Sequence, residues 1–369
     1  MQVWWEQSKR HGQQKAPGLV AYDGPVLPRW IAALAVAGFW TIALGTACDS
    51  GPRQREPLGK LNPVPMRPAP AAQPEPVPAR VSAIGYTAPL APELRRAFDD
   101  TAFEPMPEPG PDDWLARHSE QPQSFQDYLR ADRNVPNPQR NVIYLLPVGA
   151  FPATAPPLAQ LASIVHAFFM LDVKTLPAVS VGDVTAKTRI NEDTKKRQLF
   201  APEVLGWLKT RLPDDAFGLV AMTMEDLYPE PSWNFVFGMA SLKERVGVQS
   251  FPRQDPAFFG EPRPDGWHTL ARRRATWTLV HEISHMFGLT HCTYWRCVVA
   301  GSNSQDEADR SPLHVCPVCL RKLYAAIKFD PAAREDALAA VFARLGIDDE
   351  AVWSAARATW IRNGVRAVR

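Results

Sequence analysis

The chain has 369 residues, of which 46% are hydrophobic and 22% charged, enough apolar side chains to build a sizeable core. Its formal net charge is only +2, so no basic footprint for nucleic acid stands out and no nucleic-acid partner is expected. Four of its five cysteines crowd into residues 292–319, a distribution that suits a metal site, with two disulfides or buried free thiols as the alternatives.

Residues 1–29 form a polar segment. Residues 30–47 then run for 18 residues without a charge, long enough for a marginal membrane span. They end in Gly45-Thr46-Ala47-Cys48, a small-residue run that resembles a bacterial lipoprotein cleavage site, at which Cys48 would be lipidated. Residues 30–48 therefore read as a signal or anchor. Nine prolines between residues 51 and 80 make 49–82 a semi-rigid linker. The expectation is a domain held off a membrane, exported as a lipoprotein or as a single-span protein. One feature conflicts with export. An oxidising compartment favours disulfides over a four-cysteine metal site, so a cytoplasmic location is the alternative.

Residues 83–330 carry the patterns of a catalytic domain. The apolar, β-branched run 141–148 predicts a buried strand, and 217–222 a second. Helices are predicted over 159–169 and over 202–212, where Pro213 ends the second. Residues 234–237 and 246–251 predict two further strands. Strands alternating with helices imply an α+β fold, a mixed sheet with helices packed on it. A long helix is predicted over 267–287, with Leu279, Ile283 and Met286 on an apolar face and His281 and His285 on another. The Arg272-Arg273-Arg274 run is expected to be solvated or salt-bridged. Residues 331–369 form a tail, helical over 338–344 and 352–361.

The chemistry concentrates at the end of the long helix, in His281-Glu282-Ile283-Ser284-His285-Met286-Phe287-Gly288-Leu289-Thr290-His291. Two histidines four residues apart lie one above the other on a helix, so both imidazoles can reach one Zn²⁺. Glu282 lies about 100° round the helix from His281, within reach of a water on that metal as general base. Gly288 can take the left-handed conformation that ends a helix. His291 then supplies a third ligand and leaves a fourth position open, as a catalytic zinc requires. Cys292, Cys297, Cys316 and Cys319 follow directly, the last two as Cys-Pro-Val-Cys, and make a Cys₄ set for a second, structural zinc. His314 reads as a plain loop histidine, and Tyr228 and Tyr294 are candidate oxyanion donors or simply structural.

These residues resemble the archaemetzincins. The resemblance rests on 281–292, Cys297, the loop 301–313, Cys316–Leu323, residues 226–242 and the stretch around Pro111-Asp112-Asp113-Trp114-Leu115. It implies a zincin-like, metzincin-type domain, a zinc metallopeptidase with one catalytic and one structural zinc, and a peptide or protein substrate. It also implies an edge strand beside the cleft, for which 234–238 is the candidate. One position departs: Val299 stands where the family has a methionine beneath the catalytic metal, which costs packing but no ligand. Its presence keeps open an alternative, a catalytically weak two-zinc module that binds peptides without cleaving them. Retention of Glu282 argues for the enzyme, because a binding module has no use for a general base.

Overall fold

The computed structural model describes residues 77–364. The polar segment, the 30–48 stretch with Cys48 and most of the proline-rich linker lie outside the described residues. Eight strands are used here: β1 (Val142–Val148), β2 (Asp172–Thr175), β3 (Thr188–Ile190), β4 (Arg197–Phe200), β5 (Ala216–Thr223), β6 (Asp226–Tyr228), β7 (Gly238–Ala240) and β8 (Val246–Ser250). Among the described residues they form a five-stranded sheet, in the order β2-β1-β5-β8-β7, and a three-stranded sheet, β3-β4-β6. In the larger sheet β2, β1, β5 and β8 are parallel, and β7 closes one edge antiparallel to β8.

β1 and β5 are buried along their whole length, as near-continuous apolar runs in the middle of a parallel sheet should be. Alternate side chains feed opposite faces. Ile143, Leu145, Val220 and Met222 join the core formed with the helices Leu158–Phe169 and Trp267–Met286. Val142, Tyr144, Leu146, Leu219 and Ala221 join a second core, under the helix Ala201–Lys209. Mixed sheet and covering helices are the expected architecture. The helix Trp267–Met286 thus lies on one face, with Leu279, Ile283 and Met286 fully buried. The tail helices, Pro331–Leu345 and Asp348–Asn363, begin earlier than the apolar pattern indicates. Asp330 caps the first by accepting the amides of Ala332 and Ala333, and the helix packs its apolar face into the same core as Leu158–Phe169.

The small sheet has no counterpart in the sequence reading. Its strands are three or four residues long and largely polar, too short for a two-residue period to register. It holds the chain before the edge strand. The Asn234 carbonyl accepts from Arg189 Nη2 at 3.0 Å and from Gln198 Nε2 at 2.8 Å, and Asn191 Nδ2 donates to Asn234 Oδ1 at 2.6 Å. Side chains thus take the Asn234 carbonyl, and residues 234–237 do not form a regular strand. Val236 keeps a single bridge to Leu227, and the edge strand starts at Gly238. The anchor of this network is the buried pair Arg253–Asp226 at 2.8 Å, with side chains 3% and 1% exposed.

Among the described residues, which do not include 30–48, no helix is long and apolar enough to cross a membrane.

Removing one member of a buried, hydrogen-bonded pair leaves the other charge stranded. Asp226→Ala should therefore lower unfolding stability by about 3–5 kcal/mol, measured by urea denaturation of the metal-loaded protein. A loss under about 1 kcal/mol would remove Asp226 as the anchor of the small sheet.

Candidate metal centre

The helix Trp267–Met286 delivers His281, Glu282 and His285 as buried side chains. It stops because Gly288 takes a left-handed conformation, φ 86°, and turns the chain back. The Gly288 N–H donates to His285 O at 2.8 Å and the Leu289 N–H to Ser284 O at 3.4 Å, the paired bonds of a Schellman end. The last helical carbonyls are also capped from a distant segment. Asn134 Nδ2 donates to Met286 O, Tyr128 Oη to Phe287 O and Gln123 Nε2 to Gly288 O, at 2.9, 3.0 and 3.1 Å. The reversed chain brings His291 back beside the other two histidines.

The ligand atoms of His281, His285 and His291 lie within 4.8 Å of one another. His281 Nε2 and His285 Nε2 are 3.0 Å apart. Each ring leans on an oxygen through Nδ1: His281 on Val298 O at 2.8 Å, His285 on Leu289 O at 2.7 Å, His291 on Glu120 Oε1 at 2.6 Å. Those bonds commit Nδ1 as donor and leave Nε2 as the free lone pair, the tautomer a metal needs. Burial, with the neighbouring imidazoles adding to it, pushes His281 down to about 3 and His285 well below its usual value. The rings are therefore neutral at pH 7, as ligands must be. Burial opposes the charge on Glu120, but His291 and the hydrogen bonds from His291 and Trp114 hold its carboxyl down to about 2.

Glu282 is buried, and burial pushes its carboxyl up to about 8, so in the absence of a nearby cation it keeps its proton at neutral pH. The edge strand touches it. A Cβ on Gly238 would stand 2.6 Å from Glu282 Oε1 and 2.8 Å from its Cδ, so only glycine lets the strand pass.

The four cysteines Cys292, Cys297, Cys316 and Cys319 are all buried, all free of disulfides, and their sulfurs lie within 4.8 Å of one another. The Cys297 sulfur accepts the amides of Val299 and Cys316 at 3.4 and 3.3 Å. Burial pushes the Cys297 and Cys316 thiols well up. A buried cluster of four sulfurs becomes four thiolates only with a cation among them, so this donor set fits zinc, as does the set of three neutral imidazoles.

Some features were not foreseen. Glu120, Gly238 and Gln123 have no fixed spacing from the histidines, so no local pattern marks them. His118 stacks between Trp114, at 3.8 Å between ring centroids, and Trp233, at 5.5 Å. Trp114 in turn meets the His291 ring edge-on at 5.0 Å. His314, expected as a plain loop residue, bonds Glu350 Oε2 at 2.9 Å and stacks on Trp353 at 3.7 Å, tying the loop to the last helix. Tyr228 packs against Phe200 with Arg189 over its ring, and Tyr294 is buried in the main core. Of the three arginines, Arg273 and Arg274 are salt-bridged, to Asp349 and Asp309, and Arg272 bonds Leu345 O and Thr269.

A helix-borne His-Glu-x-x-His whose third histidine returns past a glycine, set against a mixed sheet, defines the class of zinc metallopeptidases. The Peptidase family M54 model matches residues 174–325. Archaemetzincin-2 of Rattus norvegicus is 37% identical over 276 residues, 66% of this chain and 77% of the relative. Archaemetzincin-2 of Homo sapiens is 36% identical over 275 residues, 66% of this chain and 76% of the relative. A solved archaemetzincin from Archaeoglobus fulgidus, crystallised with malonate, is 29% identical over 49% of this chain and 99% of that one, with a TM-score of 0.38. The chain belongs to the archaemetzincin family and is a zinc metallopeptidase.

The kinship corrects the expected location. The exported, membrane-anchored lipoprotein with a signal segment and a lipidated Cys48 is withdrawn, and the membrane with it as a partner. The relatives that match 66% of the chain are archaemetzincin-2 of rat and human, not bacterial lipoproteins. The chemistry agrees: four free thiols in one buried cluster are what an oxidising, exported setting works against.

Gly238→Ala should drive Glu282 from its position without touching a histidine or cysteine. Peptide hydrolysis should fall at least about ten-fold, roughly 1.4 kcal/mol of barrier, with metal content unchanged by elemental analysis. Unchanged hydrolysis would mean that the edge strand does not confine Glu282.

Proposed function

We propose that the chain hydrolyses peptide bonds with a zinc ion held by His281, His285 and His291, and that Glu282 is the general base. The observation that carries this is the set of three neutral imidazoles, each with Nδ1 committed to an oxygen and its other nitrogen turned to the shared space. A zinc ion held there supplies Lewis acidity to a peptide carbonyl and makes water more acidic. Glu282 accepts a proton from that water on a carboxylate oxygen and returns it to the leaving amine. A bound cation also favours the ionised carboxylate, reversing the effect of burial and readying Glu282 as a base. Cys292, Cys297, Cys316 and Cys319 hold a second zinc with a purely structural role, which makes two per chain. The fold is read as metzincin-like, with residues 83–330 as the catalytic domain and 331–369 as a helical tail. The free side of β7 is read as the edge along which an extended substrate adds its backbone.

One observation favours a second reading, a two-zinc binding module with little activity. Val299 is fully buried where the resemblance calls for methionine.

Glu282→Ala decides between them. Peptide hydrolysis should be abolished while both zinc ions stay bound, because Glu282 handles protons and is not a ligand. Cleavage by the variant at the wild-type rate would end the hydrolytic assignment, and an inactive wild type would favour the binding module.

A further inference from the structure

The three imidazoles do not lean on equivalent oxygens. His281 and His285 lean on the neutral carbonyls of Val298 and Leu289, whereas His291 leans on a carboxylate. Glu120 comes from 171 residues upstream of His291, and its side chain is only 8% exposed. The same Oε1 that accepts from His291 Nδ1 accepts from Trp114 Nε1 at 2.7 Å. Trp114 is fixed in turn: its backbone N–H donates to Glu307 Oε1 at 2.9 Å, and its ring fills the space that a side chain at Gly301 would need. A little further on, Gln123, Tyr128 and Asn134 cap the end of the active-site helix. Gln123 also accepts from the Thr290 amide at 3.3 Å and from Lys322 Nζ at 3.0 Å. Each of these four upstream anchors, like Trp114, lies before residue 174, where the family match begins.

We infer that the segment 114–134 is a built part of the catalytic metal centre, and that Glu120 is its positioning residue, raising the affinity of the histidine site for zinc through His291. The inference rests on the zinc reading given above. The Glu120 carboxylate is buried, and its Oε1 is held by two donors, His291 Nδ1 and Trp114 Nε1. A dication held on the far side of the imidazole would be attracted to that carboxylate through the ring. A carboxylate on Nδ1–H also fixes the tautomer and raises the basicity of Nε2, and partners of this kind are generally worth about 10–100-fold in metal affinity. The backbone carbonyls behind His281 and His285 fix a tautomer but carry no charge. His291 is accordingly the ligand most dependent on its partner, and it is also the one borne by a loop rather than by a helix.

The test is chelator competition against zinc on the full chain, with the four-cysteine site of the same molecule as internal reference. Glu120→Ala should weaken the histidine site about 10–100-fold. Glu120→Gln, isosteric but neutral, should fall between it and the wild type. Trp114→Phe, which keeps an aromatic ring but deletes the Nε1 donor, should weaken the site in the same direction by a smaller factor. Cysteine-site affinity and far-ultraviolet circular dichroism should stay at wild-type values, and Co²⁺ in the histidine site should show an altered absorption spectrum in Glu120→Gln. If Glu120→Gln and Trp114→Phe bind zinc at that site as tightly as the wild type while His291→Ala loses it, the positioning role is overturned and the zinc site stands. If His291→Ala also keeps its zinc, the histidine site itself is misassigned. Should Glu120→Ala fail to fold, the other two variants decide the matter.

Discussion

Nine residues, His291 to Val299, serve both the histidine and the cysteine cluster, and the rest of the site depends on how they are held. His291 and Cys292 are adjacent and face different clusters. The Cys292 amide donates to Val299 O at 3.0 Å, closing the segment into a loop whose far end carries Cys297. From the same loop, Val298 O accepts from His281 Nδ1. Two of the three imidazoles are therefore positioned by a segment that the four-sulfur cluster pins in place. The loop has little regular structure of its own, so a metal among the sulfurs is what would give it one conformation. Zinc bound to such a set contributes folding free energy directly, on the order of 10–16 kcal/mol in small zinc domains.

Around this loop the fold supplies rigidity and low polarity. The sheet carries the helix Trp267–Met286 on one face, and the polar network of the small sheet fixes the chain that leads to β7. Gly238 then lets β7 lie against Glu282. Burial has opposite consequences for the two kinds of titrating group: it keeps imidazoles neutral and ready to bind, and it keeps the carboxyl of Glu282 protonated until a cation is near. In the proposed mechanism, a metal held by the imidazoles would therefore also favour the ionised form of Glu282. Val299, fully buried at the end of the loop, changes the packing there without altering a donor.

What the sequence made legible follows from how local each signal is. The ligand set is a matter of helical spacing, one glycine and one CxxC turn, all within about forty residues, and its members come together as the spacing implies. The central strands are long and apolar enough to announce themselves. Glu120 could not be found in this way, because its meaning lies entirely in a contact across 171 residues. The small sheet was hidden by its short strands, and the edge strand begins at Gly238, four residues later than the apolar pattern indicates, after a carbonyl taken by side chains. The uncharged stretch before Cys48 misled in the other direction. Length and apolarity make a span conceivable, but they carry no information about what the catalytic region requires. The free thiols at the other end of the chain were the better guide.

The claim that the four-cysteine cluster organises the histidine cluster is tested most directly by the order of metal uptake. Metal-free protein is titrated with Co²⁺ while thiolate charge-transfer absorption and the weaker ligand-field bands of the histidine site are followed separately. The thiolate signal should saturate over the first equivalent, and the histidine site should fill only afterwards. Cys316→Ser, which opens the cluster, should leave the histidine site unable to hold the ion. A histidine site that fills first, or that binds Co²⁺ normally when the cysteine cluster is empty, would contradict the claim.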